Sequence, residues 1–258
     1  MRYVWSVWPA LHKRIQSARR KLLILDFDGT IVPIAKTPDS VLFTRKSRKL
    51  VADLSRRRGW RVAVISGRSL KNLRRYFRDK RLIYAGNHGL ELAGEGVNLP
   101  SAARKIRART RLIRLLREKL NGVFYFWPGV MVEDKTYALG LHFRNLRPDR
   151  RPVFNELVNF YREKYRNHPI AWKRGKKVWE VRPDPGWGKG DMALYLAKKF
   201  RRSLAIAIGD DKTDEDTFKA MKHCGVTIRV GRSKKSFADY YLKSPSDVGT
   251  FLNELCRL

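Results

Sequence analysis

Apolar runs that end in polar residues recur along this chain and predict buried strands. The runs 21–27, 60–66 and 203–210 show no two-residue alternation, which is typical of strands covered on both faces of a sheet. Because strands that alternate with helices form parallel sheets through crossover connections, the pattern predicts an α/β domain. Further predicted elements are strands at 82–86 and 225–231 and helices at 45–58, 69–77, 190–200 and from Thr213.

The middle of the chain has a different pattern. Its predicted elements follow the order helix, strand, strand, twice over: 101–119, 123–134, 137–144, 149–166, 170–173 and 177–182, with the strand 123–134 interrupted at "WPG". This order suits an antiparallel α+β module. The sequence therefore predicts a smaller domain, 98–178, inserted into a larger one formed by 1–97 and 179–258. Helical spacing between Val4 and Ile15 adds a helix packed on the larger domain, with a helix on a membrane surface as the alternative.

The composition adds an extreme positive charge. The 258 residues include 57 Lys and Arg against 24 Asp and Glu, a formal net charge of +33 at pH 7. Such a charge favours contact with polyanions such as phosphorylated substrates, nucleic acid or anionic lipid. The helix predicted at 101–119 is especially basic, but the sequence shows no nucleic-acid module. We therefore predict no specific nucleic acid partner and leave non-specific polyanion binding open.

Cysteine usage and hydropathy bear on the compartment. The two cysteines, Cys224 and Cys256, form neither a disulfide framework nor a metal-ligand spacing, which fits a reducing compartment. No apolar run approaches the roughly 20 residues of a membrane span, and the N-terminus lacks the cleavage site of a signal peptide. We expect a cytoplasmic protein that has no membrane span and acts as a monomer.

Carboxylates stand where the predicted strands end. Asp26 and Asp28 close the first run, and Asp210 closes the run 203–210. The carboxyl ends of parallel strands meet at one edge of an open sheet, where ligands bind. At ~4 Å and an effective dielectric of 20, two carboxylates repel by roughly 4 kcal/mol. A hard divalent cation offsets this repulsion, and the oxygen ligands suit Mg²⁺.

This set of groups suits phosphoryl transfer. An Asp can attack phosphorus and form an acyl phosphate. A second carboxylate can give a proton to the leaving oxygen and then take one from water. A hydroxyl such as that of Ser66 and an ammonium such as that of Lys189 can bind the phosphoryl oxygens.

Four pieces of sequence together resemble the motifs of the haloacid dehalogenase superfamily: "LDFDGT", "ISGR", "GWGKGD" and "GDDKTDED". The resemblance implies a Rossmann-like parallel-sheet core with a smaller α+β cap of the αββ type inserted between Ser66 and Lys189. It also implies that Asp26 is the nucleophile and Asp28 the general acid/base. Mg²⁺ would bind Asp26, the backbone carbonyl of Asp28, and Asp210. Asp211 and Asp214 would support the metal site.

Longer stretches resemble the trehalose-6-phosphate phosphatase family of that superfamily, among them "YAGNHGLE", "VEDKTYALGLHFRN" and "GKKVWEVRP". The resemblance implies that Glu133, Lys135 and Glu180 in the cap hold the glucose unit that carries no phosphate. Carboxylates accept hydrogen bonds strongly from sugar hydroxyls. Surface ion pairing is the alternative for these residues.

Five further residues are assigned to substrate binding: Gly67, Arg68, Asn87, His88 and Arg144. Arg68 can bind phosphate or sugar, or can form a salt bridge to the acidic cluster. His88 can contact the substrate or be a loop residue bonded to backbone. Arg144 can face the phosphate or lie on the outside of a strand.

The sequence thus predicts a Mg²⁺-dependent hydrolase of trehalose biosynthesis. It would convert trehalose 6-phosphate to trehalose and phosphate through an aspartyl-phosphate on Asp26. One alternative is the same chemistry on another sugar phosphate, such as sucrose phosphate or mannosyl phosphoglycerate. The other is a polyanion-binding protein with a vestigial site.

Overall fold

The computed structural model describes residues 1–35, 41–175, 177–184 and 187–258. They form two units. The core comprises Met1–Leu99 and Gly188–Leu258, and the cap comprises Pro100–Trp187. Part of the loop that follows Asp28 and the first residue of "GWGKGD", Gly186, lie outside the described residues.

An eight-stranded sheet forms the centre of the core. Its strands are β1 (Arg2–Tyr3), β2 (Lys21–Leu25), β3 (Trp60–Ile65), β4 (Ile83–Gly86), β5 (Glu91–Ala93), β10 (Leu204–Gly209), β11 (Gly225–Val230) and β12 (Tyr240–Leu242). The spatial order is β1-β12-β11-β10-β2-β3-β4-β5. All neighbours are parallel except β4 and β5. The central strand β2 is therefore flanked by β3 and β10.

Helices cover this sheet. They are α1 (Trp8–Ser17), α2 (Arg45–Arg56), α3 (Leu70–Phe77), α7 (Lys189–Lys199), α8 (Lys212–Met221) and α9 (Pro245–Leu255). Apolar side chains of α1, α2 and α9, such as Ile15, Leu54 and Phe251, join one cluster with β2. Helices α7 and α8 pack on each other and contact β3, β10 and β11. Leu22 to Leu25 are almost fully buried, as the unbroken apolar run of β2 predicts.

The cap has a separate four-stranded sheet. Its elements are α4 (Ser101–Ala108), α5 (Thr110–Phe124), β6 (Met131–Asp134), β7 (Leu139–His142), α6 (Arg151–Lys164), β8 (Ile170–Gly175) and β9 (Val178–Pro183). The strands are antiparallel in the order β6-β7-β9-β8. Leu139, Leu141 and Val181 pack against apolar residues of α5 and α6. The alternate residues of these strands, among them Gly140 and His142, occupy the other face.

The predicted architecture, an α/β fold with a parallel-sheet core and a smaller α+β unit, is confirmed, but three local predictions are wrong. The helix predicted at 101–119 is two helices that meet at Arg109, and α5 continues to Phe124. The strand predicted at 123–134 therefore begins only at Met131. Leu116, Leu120 and Phe124 keep a four-residue spacing and are buried, so helical packing overrides the β propensity of "VFYFW".

The third error concerns the end of the sheet. The strand at 225–231 is not the last one, because Tyr240–Leu242 pairs with it and with β1. A strand of three residues is too short to show a periodic pattern. The boundary predicted at 178 also differs from the structure, since β9 pairs within the cap sheet and that unit extends to Trp187.

The N-terminal helix packs on the core, because Leu11 and Ile15 of α1 are buried in its main apolar cluster. None of the helices in the described part of the chain has both the length and the apolar character that a membrane crossing requires.

Candidate active site

The sheet brings four polar residues to one edge. Asp26, Ser66, Asn87 and Asp210 each follow the last residue of a parallel strand, namely β2, β3, β4 and β10. Leu25, at the end of β2, pairs with Val64 on one side and Ile208 on the other. The residues that follow these three neighbouring strands therefore emerge side by side.

An aromatic anchor holds the loop that carries Asp26 and Asp28. Phe27, between them, is fully buried, and its ring lies 5.0–5.5 Å from the rings of Phe43, Tyr76 and Phe77. The chain then turns sharply at Gly29, whose φ is +82°. A side chain at Gly29 would overlap the Asp210 carboxylate, so glycine allows this close approach.

Lys189 is the cation of the cluster. It is the first residue of α7 and is only 4% exposed. Its Nζ donates to Asp26 Oδ1 at 2.8 Å and to Asp214 Oδ1 at 2.9 Å. It also lies 3.8 Å from Asp211 Oδ1. One buried ammonium thus links the end of β2 to the start of α8.

Asp211 and Asp214 build the start of α8. Asp211 caps the helix, since its Oδ1 accepts from the backbone N–H groups of Thr213 and Asp214. Asp214 Oδ2 accepts from the N–H groups of Asp210 and Asp211 at 3.0 and 3.1 Å. Because Lys189 occupies the other oxygen of Asp214, both of its oxygens are engaged. This arrangement suits a supporting role for Asp214.

The carboxylates are grouped closely enough to hold a cation. Oxygen atoms of Asp26, Asp210 and Asp214 all lie within 4.8 Å of one another. The Thr30 hydroxyl is 3.2 Å from Asp210 Oδ1 and 3.5 Å from Asp26 Oδ2, so Thr30 is a contact that the sequence did not assign. An all-oxygen donor set fits a hard divalent ion such as Mg²⁺.

The electrostatics show an excess of negative charge. Burial raises the pKa of Asp26 to about 7, although Lys189 opposes the shift. Burial, together with the charges of Asp214 and Asp211, raises the pKa of Asp210 to about 6. Burial and the Asp26 charge also hold the pKa of Asp214 well above its usual value. The cluster therefore keeps protons near neutral pH unless a cation replaces them.

In the two other groups of the cluster, Asp211 and Lys189, the pKa shift favours the charged form. Burial alone would raise the pKa of Asp211, but Lys189 and hydrogen bonds from Asp214 and Thr213 lower it to about 2. Burial alone would lower the pKa of Lys189, but the Asp26 and Asp214 carboxylates raise it above its usual value. Lys189 therefore stays charged.

Arg68 pairs with Asp28. Its Nε and Nη2 donate to the two oxygens of the Asp28 carboxylate at 2.6 and 2.7 Å. Its Nη1 donates to Asn72 Oδ1 at 3.1 Å, and its guanidinium lies over the rings of Phe27 and Tyr76. The salt bridge that the sequence left open for Arg68 is therefore present.

The loops after β3 and β4 are joined through backbone. Asn87 N–H donates to the Arg68 carbonyl at 2.8 Å, and His88 N–H donates to the Ser66 carbonyl at 2.9 Å. Ser66 Oγ accepts from Arg68 N–H at 3.2 Å. The His88 ring lies where a side chain at Gly67 would be. These contacts give Gly67 and His88 a structural part in the loop.

Glu91 completes this pair of loops and was not predicted. Its Oε2 accepts from Asn87 Nδ2 at 2.9 Å and from the N–H of Leu70 at 2.6 Å. Asn87 and His88 both have positive φ, a backbone conformation that residues other than glycine adopt uncommonly. Strain of this kind concentrates at functional sites.

In the cap, four polar side chains meet over one glycine. Cross-strand pairing aligns Glu133, Gly140 and Glu180 in a row. Lys135 Nζ lies 3.1 Å from Glu180 Oε2 and 3.9 Å from Glu133 Oε2. The space that a side chain at Gly140 would take is bordered by Glu133, Lys135 and His142. The three residues predicted from sequence therefore form one cluster.

His142 joins this cluster, although no motif in the sequence singles it out. Its Nε2 is 2.7 Å from Glu133 Oε2. The two-residue period from Gly140 puts His142 on the same face, but the sequence does not show which strand lies opposite.

Arg144, which was predicted at a strand end, lies instead in an exposed turn after β7.

Comparison with known proteins identifies the family. A family model described as trehalose-phosphatase matches residues 24–246. Trehalose-phosphate phosphatase B of Arabidopsis thaliana is 30% identical, over 93% of this chain and 68% of that protein. The chain belongs to the trehalose-phosphatase family. Trehalose-phosphatases are phosphoric monoester hydrolases, so the predicted family and enzyme class are confirmed. A trehalose 6-phosphate phosphatase of Zea mays is 29% identical, over 92% of this chain and 70% of that protein.

Solved structures share the fold of this chain. The C-terminal domain of a Candida albicans trehalose-6-phosphate phosphatase superposes with a TM-score of 0.75 at 24% identity, covering 97% of this chain and 96% of that one. A haloacid dehalogenase-like hydrolase of Bacteroides thetaiotaomicron gives 0.61 at 16% identity, covering 92% and 99%. The two-unit architecture therefore recurs at low sequence identity.

Proposed function

We propose that this protein is a Mg²⁺-dependent phosphatase that hydrolyses trehalose 6-phosphate to trehalose and phosphate through an aspartyl-phosphate on Asp26. The observation that carries the proposal is the buried contact of Asp26 with Lys189 beside Asp210 and Asp214. It lies at the ligand-binding edge of the sheet in a chain of the trehalose-phosphatase family.

The acidic cluster fits Mg²⁺. Asp26, Asp210 and the backbone carbonyl of Asp28 would hold it, and Asp214 would support the site. The raised pKa values of Asp26 and Asp210 support this assignment, because they mark carboxylates that lack enough positive charge around them. When bound, Mg²⁺ offsets the repulsion between these carboxylates and an anionic phosphate.

Asp26 is the group that attacks. Its carboxylate oxygen forms a bond to phosphorus while the bond from phosphorus to the sugar oxygen breaks. Lys189 orients the carboxylate through Oδ1 and adds positive charge where phosphoryl charge develops. The hydroxyl of Ser66, at the end of the neighbouring strand, is assigned to the phosphoryl oxygens.

Asp28 moves the protons. It gives a proton to the leaving sugar oxygen and then takes one from the water that attacks the phosphorus of the acyl phosphate. Phosphate leaves and the Asp26 carboxylate is restored. Arg68 donates to one lone pair of each Asp28 oxygen and so positions the carboxyl group, while the second lone pair of either oxygen would carry the proton.

The cap cluster is assigned to the sugar. Glu133, Lys135 and Glu180 carry acceptors and a donor within a few ångströms of one another, as recognition of several hydroxyls requires. The His142 ring is hydrogen-bonded to the Glu133 carboxylate and orients it. This assignment distinguishes trehalose 6-phosphate from substrates that have no second sugar.

The deciding experiment is phosphate release from a panel of substrates: trehalose 6-phosphate, sucrose 6-phosphate, mannosyl phosphoglycerate and 4-nitrophenyl phosphate. Each is assayed with Mg²⁺ or with a chelator. We expect Mg²⁺-dependent preference for trehalose 6-phosphate and its loss in Asp26→Asn. Preference for another sugar phosphate would keep the Asp26 chemistry and reject the substrate. Release that Asp26→Asn leaves intact would reject the mechanism.

A further inference from the structure

The helix pair α4–α5 carries charge that nothing in the proposed chemistry uses. Ser101–Phe124 contains eight Lys and Arg but a single carboxylate, Glu118. Arg117 pairs with Asp134, Arg107 lies over the Tyr137 ring, and Arg109 donates to the Asp184 carbonyl. The remaining five are exposed and form no ion pair within the described part of the chain. We call them the basic surface: Arg104, Lys105, Arg111, Arg114 and Lys119.

An exposed aromatic pair follows directly. Tyr125 and Phe126 are 78% and 85% exposed, and their rings meet edge to face at 4.7 Å. They lie at the end of α5, and Tyr125 borders an open surface pocket of about 500 Å³ lined also by Asn121, Phe124, Val130, Met131 and Val132. Two adjacent rings this exposed contribute little to the cap core, and such patches mark binding sites.

Arg111 and Arg114 of the basic surface lie on the same side of α5 as Tyr125. Arg111, Arg114, Glu118, Asn121 and Tyr125 follow one another at alternating spacings of three and four residues, which places them along a single stripe. From Arg111 to Tyr125 the stripe runs about 21 Å at 1.5 Å per residue. Glu118 is its only carboxylate, so the stripe has net positive charge.

We propose that this stripe of the cap binds single-stranded nucleic acid, with phosphates on the basic surface and a base stacked on Tyr125 or Phe126. Phosphates need cations that are not already paired, and stacking needs an exposed ring beside them. A base in a duplex has no free face for stacking, which favours a single strand. The net charge of +33 adds long-range attraction.

The buried side of α5 argues against a membrane as the partner. A helix that lies on a membrane inserts its apolar face into the lipid. The apolar face of α5, formed by Ile113, Leu116 and Leu120, is buried in the cap core. The site lies outside the acidic cluster of the core, so the proposal stands independently of the phosphatase mechanism.

The test is fluorescence anisotropy of a labelled oligouridylate with the full chain at several salt concentrations. Arg111→Glu/Arg114→Glu removes two phosphate contacts, so the slope of log K against log salt should become shallower by about 1.4. Tyr125→Ala/Phe126→Ala should weaken binding at least about fivefold with an unchanged slope. Tyr125→Trp should bind at least as tightly. Phosphatase activity and melting temperature show that each variant is folded.

A matched control is available in the core. Arg45→Glu/Lys46→Glu makes the same change in charge at two exposed residues of the first turn of α2, where acidic residues are favourable. This pair should leave the affinity within about threefold, because neither residue belongs to the basic surface and the change in net charge is the same. An equal loss in the control pair would overturn the proposal, and so would binding that Tyr125→Ala/Phe126→Ala does not weaken. Tighter binding to a duplex or to phosphatidylserine vesicles would also overturn it.

Discussion

Arg68 holds both oxygens of the Asp28 carboxylate, at 2.6 and 2.7 Å, while Lys189 holds Asp26 two residues earlier at 2.8 Å. Two neighbouring carboxylates are therefore fixed by two different cations. A bidentate guanidinium fixes the plane of a carboxylate as well as its position. Arg68 is itself held by Asn72 and by two aromatic rings. This arrangement is compatible with the separate roles proposed for the two acids.

Replacing Arg68 tests its positioning role. Arg68→Lys keeps the charge but loses the planar fork that orients Asp28. We expect kcat to fall about 10- to 100-fold, because a misplaced Asp28 loses part of the rate enhancement that general acid/base catalysis supplies. KM for trehalose 6-phosphate should change little. In an Asp28→Asn background the same substitution should cost almost nothing further. An additive loss, or an effect confined to KM, would instead assign Arg68 to the substrate. Arg75→Lys, at an exposed residue of α3, is the control.

Replacing Lys189 should lower both stability and activity. Lys189→Met leaves Asp26 and Asp214 buried without their cation, a change that typically costs about 3–5 kcal/mol of unfolding free energy. We expect a lower denaturation midpoint without metal, partial recovery with Mg²⁺, and activity reduced by at least ~100-fold. Lys198→Met, exposed at the other end of α7, should change neither. Equal stability of both variants in denaturant would contradict this account.

Metal binding should depend on pH. The pKa values of about 7 for Asp26 and about 6 for Asp210 are raised, so the metal-free protein holds protons there that must leave when Mg²⁺ binds. Affinity should therefore fall as pH decreases through 7 and 6, on the order of tenfold or more between pH 8 and 6. Calorimetry in two buffers of different ionisation enthalpy measures the released protons. Release should occur at pH 7 and vanish toward pH 9. An affinity independent of pH would contradict the prediction.

Substitutions in the cap cluster should lower kcat/KM only for substrates that carry a second sugar. Glu180→Gln keeps the shape of the side chain but weakens its acceptors and its bond to Lys135. We expect kcat/KM for trehalose 6-phosphate to fall about 10- to 100-fold, because losing a charged hydrogen bond costs about 1.5–3 kcal/mol. Turnover of 4-nitrophenyl phosphate should be unchanged. Glu156→Gln, exposed on α6, is the matched control. Equal losses on both substrates would remove Glu180 from sugar recognition.

Much of the core site was visible in the sequence, because parallel strands end at a common edge. Asp26, Ser66 and Asp210 each follow an unbroken apolar run, and that pattern alone places them together. The partner of Arg68 was not predictable in the same way. A guanidinium can bind a phosphate, a sugar or a carboxylate, and the sequence does not decide among them. Only the folded loop shows that Arg68 binds the Asp28 carboxylate.

The cap was harder to predict, since its contacts depend on strand register. His142 meets Glu133 because Met131 pairs with His142 and Glu133 with Gly140, and a shift by one residue would separate them. The prediction of a strand at "VFYFW" was wrong because tertiary packing decides the structure there. The aromatic residues of this stretch favour strands, while burial of Phe124 beside Leu120 keeps the chain helical.

The proposed mechanism depends on transfer of the phosphoryl group to Asp26, and trapping this intermediate would test it. Asp28→Asn is mixed with 4-nitrophenyl phosphate, whose leaving group needs no proton, so the first step proceeds while activation of water is impaired. Acid quench and mass spectrometry then locate the phosphoryl group. We predict a burst of one nitrophenolate per site and phosphate on Asp26. A burst with the label on another residue, or turnover with no covalent adduct, would contradict the mechanism.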